Sequence, residues 1–158
     1  MAGYWLFKSE PDVFSIHDLR SAPGKTTSWE GIRNYQARNF LRDTVRKGDG
    51  VLFYHSNADP MGIAGTALVT REAYPDHFAF DASHRYFDPD CSPSQPTWVM
   101  VDIKLKTIFP GIITRDMLAA DPICRQMLVL KRGSRLSIQP VTPEEWRAVH
   151  RLAQASPE

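Results

Sequence analysis

Apolar positions along this chain come in short runs and alternations separated by polar turns. Residues 4–8 are a short aromatic-rich run and predict a strand. Glu10-Pro11-Asp12 ends it, because proline offers no N–H to a ladder and restricts the residue before it. Ser15 followed by Asp18 predicts a capped short helix, and residues 21–27, with Pro23-Gly24, a loop. Asn34 predicts the cap of a helix running to about residue 46. At 100° per residue, Ala37, Phe40, Leu41, Thr44 and Val45 share one face, while Arg38, Arg42 and Arg46 share another with Tyr35 beside them. Lys47-Gly48-Asp49-Gly50 stops that helix.

Residues 51–55 are apolar at nearly every position, the mark of a central strand. A loop at 56–60 leads to another strand over 62–70, a hairpin-like pair that brings Ser56 and Asn57 to one end of the sheet. Gly62 and Gly65 within it predict a bulge or a close backbone approach. Residues 74–96 lack a clear period. They predict an ordered irregular excursion anchored by Tyr74, Phe78, Phe80, Tyr86 and Phe87. Residues 98–109 alternate as a long strand, 114–120 and 122–127 read as short helices, and 135–141 as a last strand. Thr142, Pro143 and Glu145 stand at the N-cap, N1 and N3 positions of a final helix ending near residue 153. Strands and helices do not alternate strictly, which favours a curled mixed or antiparallel sheet over a doubly wound one.

Composition narrows the function. The 158 residues fit one domain. Formal net charge is +1, too small for a protein that neutralises many phosphates along a duplex, so a nucleic-acid ligand would be held over a local footprint. Cys91 and Cys124 lack metal or redox spacing, and neither a leader pattern nor a 20-residue apolar run is present. These features predict a cytoplasmic chain with reduced thiols and no membrane span. The five histidines include no HxH or HxxxH pair, and Asp76, His77, Asp81, His84 and Asp88 match no ligand spacing, so neither metal nor cofactor is expected.

The stretch Ser28-Trp29-Glu30-Gly31-Ile32-Arg33-Asn34-Tyr35-Gln36-Ala37-Arg38 concentrates groups that stack on a flat ring, hydrogen-bond its edge and hold phosphates. Trp29 either stacks on an extruded base or plugs the core from its loop. Arg33 and Arg38 either grip phosphates or line a solvated helix face. Asn34 serves as a cap or as a base reader, and Tyr35 as a second ring wall or as packing. Ser9, His55, Ser56 and Asn57 offer polar groups at the same predicted sheet end.

Four blocks carry a family likeness: Tyr4-Trp5-Leu6-Phe7-Lys8-Ser9-Glu10-Pro11, Trp29 through Phe40, Gly48 through Ser56, and Arg135-Leu136-Ser137-Ile138-Gln139-Pro140-Val141. In this order they resemble the EVE domain of the PUA-like superfamily, which is similar to YTH domains. The resemblance covers nearly the whole chain and implies one domain over residues 1–155. It implies an α+β fold: a PUA-like pseudo-barrel of about five or six mostly antiparallel strands flanked by helices. It further implies a binding module for DNA or RNA carrying a modified base, a modified cytosine above all; a monomer is expected. On the matching positions Trp29 takes the place of the pocket tryptophan, Lys8 and Ser9 the rim, and Ser56 the opposite wall. The expected site is therefore Trp29, Ser9, Asn34, Tyr35, His55, Ser56 and Asn57 around the base, with Lys8, Arg33 and Arg38 on phosphates. The alternative is an ASCH-like amidohydrolase acting on an acylated nucleoside through Lys8, Ser9 and Glu10; a third is a protein adaptor using residues 74–87.

Overall fold

The apolar runs assemble into one six-stranded sheet. The computed structural model describes residues 3–94, 96–132 and 135–158, so Met1, Ala2, Gln95, Gly133 and Ser134, which the 1–155 domain and the 74–96 excursion partly include, lie outside the described residues. The strands are β1 (Tyr4–Ser9), β2 (Thr26–Ser28), β3 (Gly50–His55), β4 (Gly62–Pro75), β5 (Val99–Thr114) and β6 (Ile138–Val141). Their order across the sheet is β2-β5-β4-β3-β1-β6. Only β1 and β3 run parallel; the other neighbours are antiparallel. Helices α1 (Ile16–Ser21), α2 (Tyr35–Asp43), α3 (Arg115–Ala120) and α4 (Pro143–Ala153) flank it. This is the expected α+β fold of about six mostly antiparallel strands flanked by helices, with β2 and β6 left as edges of an unclosed sheet.

The curl of the sheet is visible in its packing. Trp29 follows edge strand β2, yet its ring lies 5.4 Å from Phe7 on β1 and 5.4 Å from Phe53 on β3, strands at the other side of the order. These rings join Trp5, Leu19, Leu41, Val51, Val101 and Ile103 in a core inside the curl, closed by α1 and α2. A second core lies on the outer face, where Trp146 and Val149 of α4 and Leu118 of α3 cover Leu6, Leu52 and Tyr54.

Local sequence explains most boundaries. Ser15 and Asp18 form a reciprocal capping box on α1, as Thr142 and Glu145 do on α4. Asn34 Oδ1 accepts from the Ala37 amide and starts α2. That helix ends at Asp43 rather than near residue 46, because Thr44 leaves helical geometry at φ −123°. Gly65 sits at a register shift where a Cβ would run into the Thr107 carbonyl, and a Cβ at Gly62 would meet the Ile113 carbonyl. Strands β4 and β5 run on to Pro75 and Thr114 rather than ending at 70 and 109, and three further expectations are corrected. Residues 26 and 27, expected in the 21–27 loop, belong instead to the edge strand Thr26–Ser28, stabilised by pairing with β5 that no local pattern reveals. Residues 122–127 hold only a short 3₁₀ turn, since the Asp121 carboxylate takes the amides of Ile123 and Cys124. The last strand begins at Ile138 rather than at residue 135.

Candidate functional site

Parallel pairing of β1 with β3 brings their C-terminal ends together: Ser9 is level with His55, and the Ser56 amide donates to the Ser9 carbonyl at 2.9 Å. Antiparallel β6 begins at the same end, where the Lys8 amide donates to the Ser137 carbonyl at 2.9 Å. Curling of the sheet adds the turn that follows β2. These segments enclose a cleft of about 550 Å³, lined among others by Lys8, Ser9, Phe14, Trp29, Glu30, Ser56, Tyr86 and Arg135. That volume is ample for one heterocycle with its sugar.

Trp29 is both core and cleft residue. It is 7% exposed and wedged against Phe7, Phe14 and Phe53, so the ring is fixed from behind. Its indole N–H donates to no group among the described residues, and it is not sealed from solvent. Tyr86, from the irregular excursion after β4, supplies a further aromatic wall beside Phe14 and His84. Gly31 lies under the Tyr86 ring at φ +84°, where a Cβ would come within 2.5 Å of ring carbons.

A buried carboxylate joins these walls. Asp76 is fully buried; its Oδ2 accepts from the Gly31 amide at 2.9 Å and from Arg33 Nη1 at 3.0 Å, and its Oδ1 from the Phe78 amide at 3.0 Å. Arg33 completes the clamp: Nε and Nη2 donate to the Tyr86 carbonyl at 3.2 and 2.6 Å, and Nη1 also to the Ile32 carbonyl. Its guanidinium therefore braces the wall from outside the cleft.

Cations of the cleft stand without anionic partners among the described residues: Lys8, Arg85 and Arg135 make no ion pair. Burial, and then the charge of Arg115, hold the Lys8 ammonium below the usual lysine range. Two carboxylates share the cleft, Glu10 and Glu30; Glu30 accepts from the Ser28 hydroxyl at 2.8 Å. The Ser9 hydroxyl donates to the Phe14 carbonyl at 2.5 Å, which leaves its lone pairs toward other donors. Among the described residues no group of three or more His, Cys, Asp or Glu is placed to hold a metal ion, both cysteines are free, and no helix is long and apolar enough to cross a membrane.

Of the residues singled out in the sequence, Trp29, Ser9, Ser56 and Lys8 meet at this cleft. The others stand outside its lining. Asn34 spends its side-chain oxygen on capping α2. His55 is buried, and its Nε2 accepts from the Ile16 amide at the start of α1; burial, and then the nearby His17, lower its pKa. Asn57 turns the chain at φ +49°. Tyr35 and Arg38 lie beyond the Arg33 clamp, with Arg38 donating to the Thr97 carbonyl at 2.8 Å. Tyr86, Arg85 and Arg135 line the cleft without having been singled out for it. The available signal was a cation beside an aromatic, Arg85-Tyr86, inside a loop otherwise rich in aspartate and proline.

Comparison with known proteins matches residues 3–152 to the EVE domain family model. Human thymocyte nuclear protein 1 is 38% identical over 174 residues, covering 99% of this chain and 76% of the human protein. Among solved structures, a hypothetical protein from Leishmania major superposes with a TM-score of 0.92 at 41% identity, covering 98% of this chain and 96% of that one. The human THYN1 protein in complex with 5-methylcytosine-containing DNA gives 0.89 at 39% identity, covering 98% and 99%. A Zygosaccharomyces rouxii YTH domain, 12% identical with a TM-score of 0.54 over 97% of this chain and 87% of that one, shares the fold alone.

Proposed function

The chain belongs to the EVE domain family, and from that premise we propose that it is a nucleic-acid reader, not an enzyme, whose cleft takes a single modified base, a methylated cytosine foremost. The observation that carries this reading is the cleft itself. One indole, locked from behind by three aromatic rings, and one tyrosine ring line the same solvent-open space. Rings held this way receive a flat heterocycle without first being ordered, which removes much of the usual entropic cost. The 39%-identical human protein, solved with DNA containing 5-methylcytosine, supports the choice of ligand.

In this reading a base leaves its stack and enters between Trp29 and Tyr86. Ser9, Ser56 and the carboxylate of Glu30 meet its polar edge; a carboxylate accepts from the exocyclic amino group of cytosine. Lys8, Arg85 and Arg135 take the flanking phosphates, since among the described residues their charges have no ion-pair partner to give up. Arg33, His55 and Asn34 act behind this surface by holding Tyr86, α1 and α2 in place. A buried methyl contributes about 0.8 kcal/mol, so preference for the methylated base is a few-fold unless plain cytosine leaves a wet gap.

Titration of the tryptophan fluorescence with short strands that differ only in one 5-methylcytosine tests the proposal. The methylated strand binds more tightly, and Tyr86→Ala lowers the methylated-to-plain ratio while Tyr86→Phe preserves it. Equal affinity for both strands at low salt would overturn it.

A further inference from the structure

Beyond the cleft, we propose a second station for the same strand: Tyr35 and Arg38 hold an unpaired nucleotide neighbouring the one in the cleft, stacking its base and pairing its phosphate. The inference rests on the proposed function for its ligand class, but not on which base the cleft prefers.

Tyr35 is 60% exposed, and among the described residues no other large hydrophobic side chain is more so. It is nonetheless an ordered ring. Trp98, itself 5% exposed, supports it at a centroid distance of 4.9 Å and 34° between planes. The Arg38 guanidinium lies 5.0 Å from its centroid. Arg38 is fixed in turn by the Thr97 carbonyl and by Asn39 Oδ1, and among the described residues no carboxylate forms an ion pair with it. A fixed ring beside an uncompensated guanidinium provides one stacking surface and one phosphate donor, the two elements of a sequence-independent nucleotide contact.

The position of this pair points to the occupant. A continuous ladder joins it to the cleft wall: the Tyr86 ring, then the Arg33 guanidinium 5.6 Å away, then the Trp98 ring 5.5 Å from that guanidinium, then Tyr35 at 4.9 Å. Asp76 anchors the middle of the ladder through Arg33. Cleft and platform are thus ends of one braced unit, a few side chains apart. A strand whose modified base fills the cleft passes the rim at Tyr86 and, in this proposal, follows the ladder to Tyr35, where a base further along it stacks. On the same face of α2 Arg42 is already paired with Asp43 at 2.7 Å, so Arg38 is the cation beside Tyr35 that has charge to offer a phosphate.

The two stations make separable contributions. Stacking on Tyr35 ignores base identity, so its loss weakens methylated and plain strands by the same factor. The cleft sets the ratio between them. The test is fluorescence anisotropy of wild type, Tyr35→Ala and Tyr35→Phe with a methylated seven-nucleotide single strand, its plain counterpart and the 5-methylcytidine mononucleotide. Tyr35→Ala is expected to lower affinity for both strands roughly fivefold or more, with mononucleotide affinity and the methylated-to-plain ratio unchanged; Tyr35→Phe stays near wild type. Alanine is a good residue for this exposed first position of α2, and unchanged thermal unfolding verifies the fold. Wild-type affinity of Tyr35→Ala for both strands overturns the inference, as does an equal loss for strand and mononucleotide. A ratio of one in the wild type instead overturns the cleft reading, and the Tyr35 factor is then read on the plain strand.

Discussion

Gly31 and Tyr86 are mutually dependent: the tyrosine ring occupies the space a side chain on residue 31 would need, and residue 31 sits in the left-handed region at φ +84°. Gly31→Ala therefore meets two obstacles, a strained backbone and a clash with a wall of the cleft. The variant is expected to lose about 1–2 kcal/mol of stability by urea unfolding. Its methylated-to-plain binding ratio falls further than the stability loss explains, because Tyr86 has moved. An unchanged ratio would show that the Tyr86 wall plays no part in reading the base.

Asp76 serves three donors at once, and all three belong to segments that shape the cleft. Asp76→Asn keeps the volume but removes the charge that balances Arg33, and its amide nitrogen meets groups that can only donate. The expected loss is about 1–3 kcal/mol, within the range for orphaned buried donors. Heat or urea unfolding measures it. Near-ultraviolet circular dichroism should change as well, since Tyr86 and Trp98 both touch the Arg33 guanidinium.

The same two residues mark how far the sequence could be read. Caps at Ser15, Asn34 and Thr142 were legible because capping is local, and the buried strand at 51–55 because its apolar run is unbroken. Trp29 and the β1 end at Lys8 and Ser9 were found through motifs that lie within single segments. Tyr86 was not, because what makes it a cleft wall is a clamp spanning 43 to 53 positions of sequence, from Arg33 to Asp76 and to the Tyr86 carbonyl. His55 shows the converse. Its place at the end of β3 suggested a polar rim, yet the Ile16 amide, 39 positions away, takes its ring nitrogen. Long-range partners decide whether a polar side chain faces a ligand or the fold, and periodicity carries no record of them.

The histidines that are tied into the fold give stability a defined pH dependence. Burial lowers the pKa of His55, helped by His17, and burial likewise lowers that of His150, helped by Lys106 against the Trp146 carbonyl. Both are therefore neutral when folded and bind a proton more readily when unfolded. In that window the unfolded state holds more protons, so stability rises with pH and is complete above about 6.5, the unfolded value. Thermal unfolding should occur at progressively lower temperature as pH falls from about 7.5 to about 5.5. His55→Gln, which keeps an acceptor near the Ile16 amide without titrating, is expected to flatten that slope at the cost of some packing. A slope unchanged in this variant would assign the effect to other groups.

Free and committed cations should separate in their response to salt. Lys8, Arg85 and Arg135 line the cleft without an anionic partner among the described residues, whereas Arg33 is engaged by Asp76 and the Tyr86 carbonyl. Binding to single strands releases counterions in proportion to the phosphates neutralised, with a slope of about 0.7 per contact in log K against log salt. Arg85→Ala and Arg135→Ala are each expected to reduce that slope by about this amount, for methylated and plain strands alike, and to leave unfolding nearly unchanged because both side chains are exposed. Arg33→Lys does the opposite: it loses the forked contact to the Tyr86 carbonyl and costs stability, while the salt slope stays as in the wild type. Lys8 is distinguishable from both. Since its pKa is held below the usual lysine value, raising the pH toward 10 removes its charge before that of an ordinary lysine. Wild-type affinity therefore falls over that rise while the affinity of Lys8→Met, already lacking the charge, falls less. Parallel declines in the two proteins would remove Lys8 from the phosphate contacts.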